Sequence, residues 1–562
     1  LKNAFHPERI LMKNLTQQQK PEPPAPASRY PETMRAIGSA FAHHGRPMRG
    51  LMSTPRSPSF QGRFGRMFRS LPSATYGSTD AESRLALMTL GDAMTSTFDA
   101  PKDGFDAEES GIPALYTYFS QLVDHDITFD PMTTLMQHSD PDALTDFRTP
   151  ALDLDNLYGR GPGDQPYLYD ANGAKLLLGV PLDNGAPDLQ RNMADPARAL
   201  IGDPRNDENS IVSQLQALML RFHNRVVDDN PGLGFPGWQR IVRWHYQWVV
   251  ANDLLPRIVS KAALDPLRTD GKYDASKLKF YHWKNDPFMP VEFSVAAYRL
   301  GHSMIRPGYR LNDEDSTLLP IFPVQPGVSG GPPGGIPDGL TGFQAMAKNR
   351  GIDWGRFIDV GAPRAYGGDP DQINPPTDDM KKRLQFAYRL DTALVMPLSV
   401  LPQSVASDKP PSLAQRNLLR AFELGLPSGQ DVARFMGVTP LTDDEIVIGK
   451  AVDSPEDGDV LGPISGQANL AAFWGKCPLW TYILAEAAMT QTQVSIPVIP
   501  ATQISTPQLG PVGGRIVAET FLGMLFGDND SYLGAAPEWI PTVGAAGAQF
   551  ALRDLVAYAL GQ

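Results

Sequence analysis

A histidine flanked by two aspartates can move protons, and "YFSQLVDHDITFD" (residues 118–130) offers one, with His125 between Asp124 and Asp126. Leu115, Phe119 and Leu122 recur at helical spacing, so the stretch reads as an amphipathic helix. On that helix Gln121, Asp124 and His125 stand three or four residues apart and share one face. Burying a carboxylate beside an imidazole costs desolvation that some partner must offset. Alone, the segment admits three plainer readings: a solvated helix face, a hydrogen-bonded core histidine, or a fragment of a zinc site.

Two more stretches carry the same question. In "EFSVAAYRLGHSMIRPGYRLN", Val295, Tyr298 and His302 fall at i, i+3 and i+7 and are expected on one flank of a helix. The small residues Ala296, Ala297, Gly301 and Ser303 would let something bulky and flat approach closely. Taken alone, His302 reads more readily as a core histidine than as a metal ligand. In "GDPRNDENSIVSQLQALMLRFHNRV", Asp203 and Pro204 mark a helix start, with Arg205 and Glu208 three apart at its opening. The plain reading there is an exposed ion pair worth about 0.2–0.5 kcal/mol. No two histidines stand at ligand spacing on one helix, which weakens a zinc or non-haem iron enzyme.

The elements that must position these groups are mainly helical. Candidate helices are "GIPALYTYFSQLVDHDI", "ENSIVSQLQALMLRFHNRVVDDN", "WQRIVRWHYQWVVANDLLPRIV", "PVEFSVAAYRLGHSMI" and "VGGRIVAETFLGMLFG". Long Gly/Pro loops such as "FPVQPGVSGGPPGGIPDG" separate them and read as surface excursions. Alternating strand patterns are few and short, and no internal repeat is found. Residues 1–80 are Pro-, Gln- and Arg-rich and read as an extended arm, leaving residues 81–562 as one large helical domain.

Composition narrows the class. With 562 residues, 42% of them hydrophobic and 20% charged, the chain can build a large core. A formal net charge of −12 argues against general nucleic-acid binding. Arginines crowd residues 29–70, which fits a segment wrapped over an acidic body better than a basic arm on a membrane or nucleic acid. One cysteine, Cys477, excludes a disulfide framework and clusters held by several thiolates; its bulky apolar surroundings suggest a buried, inert thiol. No apolar run is long enough for a transmembrane helix. The first residues lack the apolar core of a signal peptide and do not begin with Met, so trimming or removal of a signal is expected.

Taken in order, "QLVDHD", "LDLDNLYG", "GDPRNDE", "LMLRFHNRV", "YRLGHSMIRP", "RNLLRAFELGLPSGQDVARFMG" and "GGRIVAETFLGMLFGDNDSYL" resemble the peroxidase–cyclooxygenase superfamily, the animal-type haem peroxidases. The resemblance runs from about residue 82 almost to the C-terminus, and the lack of disulfides gives it the look of a bacterial member. It implies a single helical haem peroxidase domain that uses hydrogen peroxide to oxidise halides, thiocyanate or phenols through an oxoferryl intermediate. It favours a secreted or periplasmic location and leaves the cytoplasm open.

The resemblance also implies roles. His125 would be the distal base, Arg205 its cationic companion, and Gln121 a hydrogen-bonding partner of distal water or a small anion. His302 would bind the iron of haem b, with Asn417 accepting from its other ring nitrogen and Arg299 pairing with a propionate. Asp124 and Glu208 match the carboxylates that form esters to haem methyl groups. A third link, made in some members by a methionine after the glutamate, is not expected because Asn209 stands there. Asp126, Thr149, the Ala151 carbonyl, Asp153 and Asp155 match a calcium site, with Asp155 in place of the commoner serine. Three carboxylates with a hydroxyl and a carbonyl suit a hard cation.

His223 is expected to pack or hydrogen-bond in the core, and His6, His43, His44 and His138 to be surface residues. Two rival functions stand beside the peroxidase. A fatty-acid dioxygenase of the same superfamily would use a tyrosine three residues before the proximal histidine; that position is Arg299, with Tyr298 one further back. A non-catalytic binding or adhesion module would have no need of His125, Arg205, His302 and Asn417 together.

Overall fold

A computed structural model describes residues 64–97, 101–102, 106–128, 148–315, 317–327, 331–366, 382–406, 408–452 and 460–562. His6, His43, His44 and His138, most of the N-terminal arm and the tip of the "FPVQPGVSGGPPGGIPDG" loop lie outside the described residues.

In chain order the main elements are β1 (Phe64–Gly65), α1 (Asp80–Ala93), β2 (Glu109–Pro113), α2 (Leu115–Ile127), α3 (Ser210–Asp229), α4 (Phe235–Val249), β3 (Met289–Pro290), β4 (Phe386–Tyr388), α5 (Leu413–Glu423), α6 (Gly429–Met436), α7 (Leu479–Met489), β5 (Gln491–Ile496), β6 (Thr502–Pro507), α8 (Pro511–Gly527) and α9 (Leu552–Leu560). The fold is mainly α, as expected, and every sheet among the described residues has two strands. The longest pairing is β5 with β6, antiparallel from Gln491↔Pro507 to Ile496↔Thr502.

Helix α2 packs on α3, which also carries α4 and α9; α1 packs on α5; α7 and α8 pack on the segment around His302. Its residues except Gln121 and Asp124 are buried, so α2 is an interior helix rather than a surface amphipathic one. Local signals set the helix starts. Asn209 accepts from the N–H groups of Ile211 and Val212 at the head of α3. The buried Glu486 carboxylate of α7 takes the Val512 and Gly513 N–H groups at the head of α8, where positive helix-dipole charge favours an anion.

Three elements depart from their sequence pattern. The "GIPALYTYFSQLVDHDI" helix starts only at Leu115, because Glu109–Pro113 is a strand paired with Phe386–Tyr388. In "WQRIVRWHYQWVVANDLLPRIV" the helix widens to a π turn over Val250–Leu254, just before Pro256, which has no N–H to continue the α ladder. The predicted "PVEFSVAAYRLGHSMI" helix is broken into a single α turn (Val291–Ser294) and a 3₁₀ segment (Ala297–His302).

The arm is shorter than the sequence suggests. Phe64, Met67, Phe68 and Tyr76 are buried, β1 pairs in parallel with β3, and the Glu292 carboxylate accepts from the Met67 and Phe68 N–H groups, each at 3.1 Å. The packed body therefore begins by residue 64, not 81, because scattered aromatic residues anchor a chain whose proline and arginine content reads as unstructured.

Candidate active site

A cavity of about 390 Å³ opens between α2 and the His302 segment. Gln121, Asp124, His125 and Thr128 line one wall, following the i, i+3, i+4, i+7 spacing of a single helix face. His125 Nδ1 lies 2.7 Å from Asn206 Oδ1. Donation by Nδ1–H to that oxygen leaves Nε2 as the free lone pair. Asn206 is itself held by Gln216 Oε1 at 2.9 Å. Burial, and then the nearby Arg205 charge, lower the His125 pKa to about 4, so the imidazole is neutral at ordinary pH.

The turn 203–208 supplies the adjoining groups. Pro204–Asp207 is a 3₁₀ turn capped by Asp203, and α3 begins only at Ser210. Arg205 and Glu208 are therefore not an exposed i, i+3 helix pair. Arg205 donates to the carbonyls of His125 at 3.0 Å and Thr128 at 2.7 Å, and to Asp203 at 2.8 Å. Both Arg205 and Glu208 line the cavity. Gln121 Nε2 donates to Glu208, and Gln121 Oε1 accepts from Asn209 Nδ2 at 3.3 Å. Burial pushes the Glu208 carboxyl up to about 7.

The 3₁₀ segment Ala297–His302 also lines this cavity, through Tyr298, Arg299, Gly301 and His302. The break at Val295 and Ala296 frees the Ser294 carbonyl, which accepts from Arg299 Nε at 2.7 Å. In a 3₁₀ segment residues i and i+3 eclipse, so Arg299 and His302 share a face; the helix expected to carry Val295, Tyr298 and His302 is broken, yet all three line the cavity. Arg299 Nη1 also sits 3.4 Å from Asp124 across the cavity. A Cβ added at Gly301 would meet nothing within 4 Å among the described residues, which leaves room for a bulky group beside His302. His302 Nδ1 lies 2.7 Å from Asn417 Nδ2 on α5. Burial, then the Arg299 charge, lower the His302 pKa to about 3. Tyr298 lines the cavity, stacked on Phe293 with ring centroids 4.7 Å apart.

This segment and α2 suit a large, flat, mostly apolar group with polar edges. Two neutral imidazoles face one cavity with no hydrogen bond to either Nε2 among the described residues. The buried Thr117 and Ser294 hydroxyls at its edge also have no partner among the described residues.

A second constellation lies behind His125. Asp126, Asp153 and Asp155 are all buried and offer carboxylate oxygens within 4.8 Å of one another. Thr149 Oγ1 donates to Asp153 at 2.8 Å, and Ala151 N donates to the Thr149 carbonyl at 2.7 Å, so all five expected ligand residues share one loop and the end of α2. Asp126 Oδ1 and Asp155 Oδ2 have no hydrogen-bond partner among the described residues. Leu154, between two of the aspartates, adopts a left-handed backbone at φ 60°, a cost of about 1–3 kcal/mol that its surroundings must offset. Gly159 of the "YG" turn has φ 53°, and a Cβ there would lie 2.1 Å from Gln165 Oε1. Burial, and then repulsion from Asp153, raise the Asp126 carboxyl well above its usual range. Arg148 donates to Asp155 at 2.8 Å and to Asp203 at 2.5 Å. With Asp126, Asp153, Asp155 and Asp203 all ionised, four carboxylates against two guanidiniums (Arg148 and Arg205) would leave two negative charges, which one divalent cation would cancel.

His223 is buried in the core between Tyr158 Oη at 3.0 Å and the Ala174 carbonyl at 2.8 Å. Cys477 is buried, and burial pushes its thiol up. Sequence reasoning missed Asn206, Asp203, Arg148 and Tyr246, whose hydroxyl donates to Asp126 at 3.1 Å. Asn206 directly follows Arg205, but in "GDPRND" it is indistinguishable from a turn residue.

Residues 137–324 match the family model of the animal haem peroxidase domain. The matched span contains Arg205, Glu208, His302 and the acidic loop, and stops short of His125 and Asn417 on either side. Thyroid peroxidase of Canis lupus familiaris is 26% identical over 232 residues, 36% of this chain and 23% of that protein. Chorion peroxidase of Drosophila melanogaster is 24% identical over 253 residues, 43% and 26% of the two chains. The aligned stretch thus spans about a quarter of the length of these relatives. In fold, the chain is similar to peroxidase A from Dictyostelium discoideum (TM-score 0.53, 15% identity, 88% of this chain and 91% of that one). It is also similar to the fatty acid alpha-dioxygenase of Oryza sativa (TM-score 0.50, 15% identity, 93% and 89%). Over residues 137–324 the chain is thus similar to the animal haem peroxidase domain, and its fold is that of the peroxidase and dioxygenase structures it resembles.

Proposed function

We propose that the chain is a haem peroxidase that uses hydrogen peroxide to oxidise small donors such as halides, thiocyanate or phenols. The observation that carries this is the pair of neutral histidines, His125 and His302, lining one cavity from two different elements, each with Nδ1 against an asparagine side chain. Haem b, held there, would supply the oxidising power drawn from peroxide.

His302 would bind the iron through Nε2. That role needs Nδ1–H to donate to Asn417 Oδ1, which a half-turn of the amide places where Nδ2 is drawn. Arg299 would hold a propionate in exchange for Asp124. Asp124 and Glu208 border the cavity, and one or both would form an ester link to the haem. His125, neutral and oriented by Asn206, would take a proton from one peroxide oxygen and return it to the other, so that water leaves. Arg205, a permanent cation at the cavity edge, would stabilise negative charge as the O–O bond breaks. Gln121 would hold distal water or a small anion. Spectra of the purified chain test the reading: an intense Soret band that shifts on adding peroxide and recovers with guaiacol or bromide is expected. A chain that stays colourless when supplied with haem would refute it.

The alternative is a fatty-acid dioxygenase: Tyr298 is buried and lines the same cavity, although the position three before His302 that this reading needs is Arg299. Oxygen uptake with a polyunsaturated fatty acid, without peroxide turnover, would select it.

The acidic loop would hold calcium through Asp126, Thr149, the Ala151 carbonyl, Asp153 and Asp155, tying the loop to the end of α2. Calcium at about a hundred times its dissociation constant should add about 2.7 kcal/mol of stability. Thermal melts with calcium and with a chelator should therefore differ by a few degrees, and Asp155→Asn should shrink the difference. Identical melts would count against the site.

A further inference from the structure

A single buried carboxylate joins the acidic loop to the distal turn. Asp203 is 1% exposed and accepts from Arg148 Nη2 at 2.5 Å on one side and from Arg205 Nη2 at 2.8 Å on the other. Arg148 reaches on to Asp155 Oδ1 at 2.8 Å, and Arg205 to the carbonyls of His125 and Thr128. The path Asp155–Arg148–Asp203–Arg205 thus runs without a gap from the loop to the end of α2 that carries His125. Its links are charge-assisted hydrogen bonds in largely dry surroundings, where such bonds are strong and polarise one another.

We infer that Asp203 is a positioning residue that couples a divalent cation at Asp126, Asp153 and Asp155 to the distal arginine, Arg205. The inference rests on the haem peroxidase reading for the task it gives Arg205. Its direction follows from charge. A cation at the open Oδ2 of Asp155 repels the Arg148 guanidinium and weakens the claim of Asp155 on it. Arg148 then takes a larger share of Asp203, and Arg205, held less tightly, is freer to serve an anion in the cavity. Asp126 offers the cation a separate route to α2 through the backbone beside His125, and Asp203 variants leave that route untouched.

The test uses the full haem-loaded chain and reads cyanide affinity from the Soret shift, with calcium and with a chelator. Calcium should tighten cyanide binding about fivefold or more, and by reciprocity cyanide should tighten calcium binding by the same factor, read by calorimetry. Asp203→Asn should reduce the ratio to less than about twofold while haem and calcium still bind. Arg148→Met should do the same from the other side, and the double variant should add nothing further. Asp203→Glu should restore part of the coupling. A coupling that survives Asp203→Asn and Arg148→Met overturns the relay in favour of the Asp126 route. A coloured wild-type chain whose cyanide affinity ignores calcium overturns the relay alone. A chain that remains colourless overturns the haem reading, and the relay with it.

Discussion

His302→Ala should give a folded chain that no longer holds haem by coordination, seen as loss of the Soret band with the far-ultraviolet circular dichroism unchanged. The side chain sits in a 3₁₀ segment beside open space at Gly301, so truncation removes a ligand without collapsing a packed core. His302→Gly soaked in free imidazole should regain much of the band, because the space left matches the missing ring. Asn417→Leu should act on the same bond from outside. It removes the partner 2.7 Å from Nδ1 and should weaken iron binding about 10–100-fold, the usual cost of losing such an orienting group. Haem retained at full strength by His302→Ala would place the iron ligand elsewhere. Cys477 is a poor substitute, since it is buried and burial pushes its thiol up.

The helical architecture was legible because long apolar periods at 210–229, 235–249 and 511–527 persist as helices. The segment around His302 was not. Its residues have helical spacing, but tertiary packing breaks the helix at Val295, and the Arg299 side chain satisfies the carbonyl the break exposes. Periodicity is blind to such a break, because a side chain replaces a backbone bond. The face of α2 was read correctly in spacing, while the residues alone left its setting open between a solvated face and a buried one. Gln121, Asp124 and His125 do share a face, but that face lines an interior cavity rather than solvent. The acidic loop illustrates the opposite case. "LDLDN" alone is an ordinary solvated run, and only resemblance singled it out. The fold then brings Asp126 to it from across about 28 residues of chain and buries all three carboxylates. Arg148 and Asn206 have no sequence signal of their own, and Asp203 signals only a helix start; what each does further depends on what the fold sets beside it.

His125→Leu should leave the Soret band in place and slow the reaction with peroxide by about 10²–10⁴-fold, the range a positioned general base contributes. Stopped-flow Soret absorbance at a series of peroxide concentrations measures it. The pH dependence separates a base from a merely structural histidine. Burial and Arg205 hold the His125 pKa at about 4, so the neutral, proton-accepting form dominates above that pH and the wild-type rate should be flat from about pH 5 upward. Below about pH 4 protonation removes the base, and the rate should fall about tenfold per pH unit. Leucine has no proton to gain, so the variant should lack the acid limb altogether. Asn206→Leu should fall between the two: it keeps the imidazole, removes the oxygen 2.7 Å from Nδ1, and lets the proton settle on either nitrogen. Only the tautomer with Nδ1–H presents a lone pair to the cavity, so this variant should lose part of the rate but keep the acid limb. An acid limb that persists in His125→Leu would assign the proton transfer to another group, with Glu208 first in line because burial already pushes its carboxyl up to about 7 at the same cavity wall.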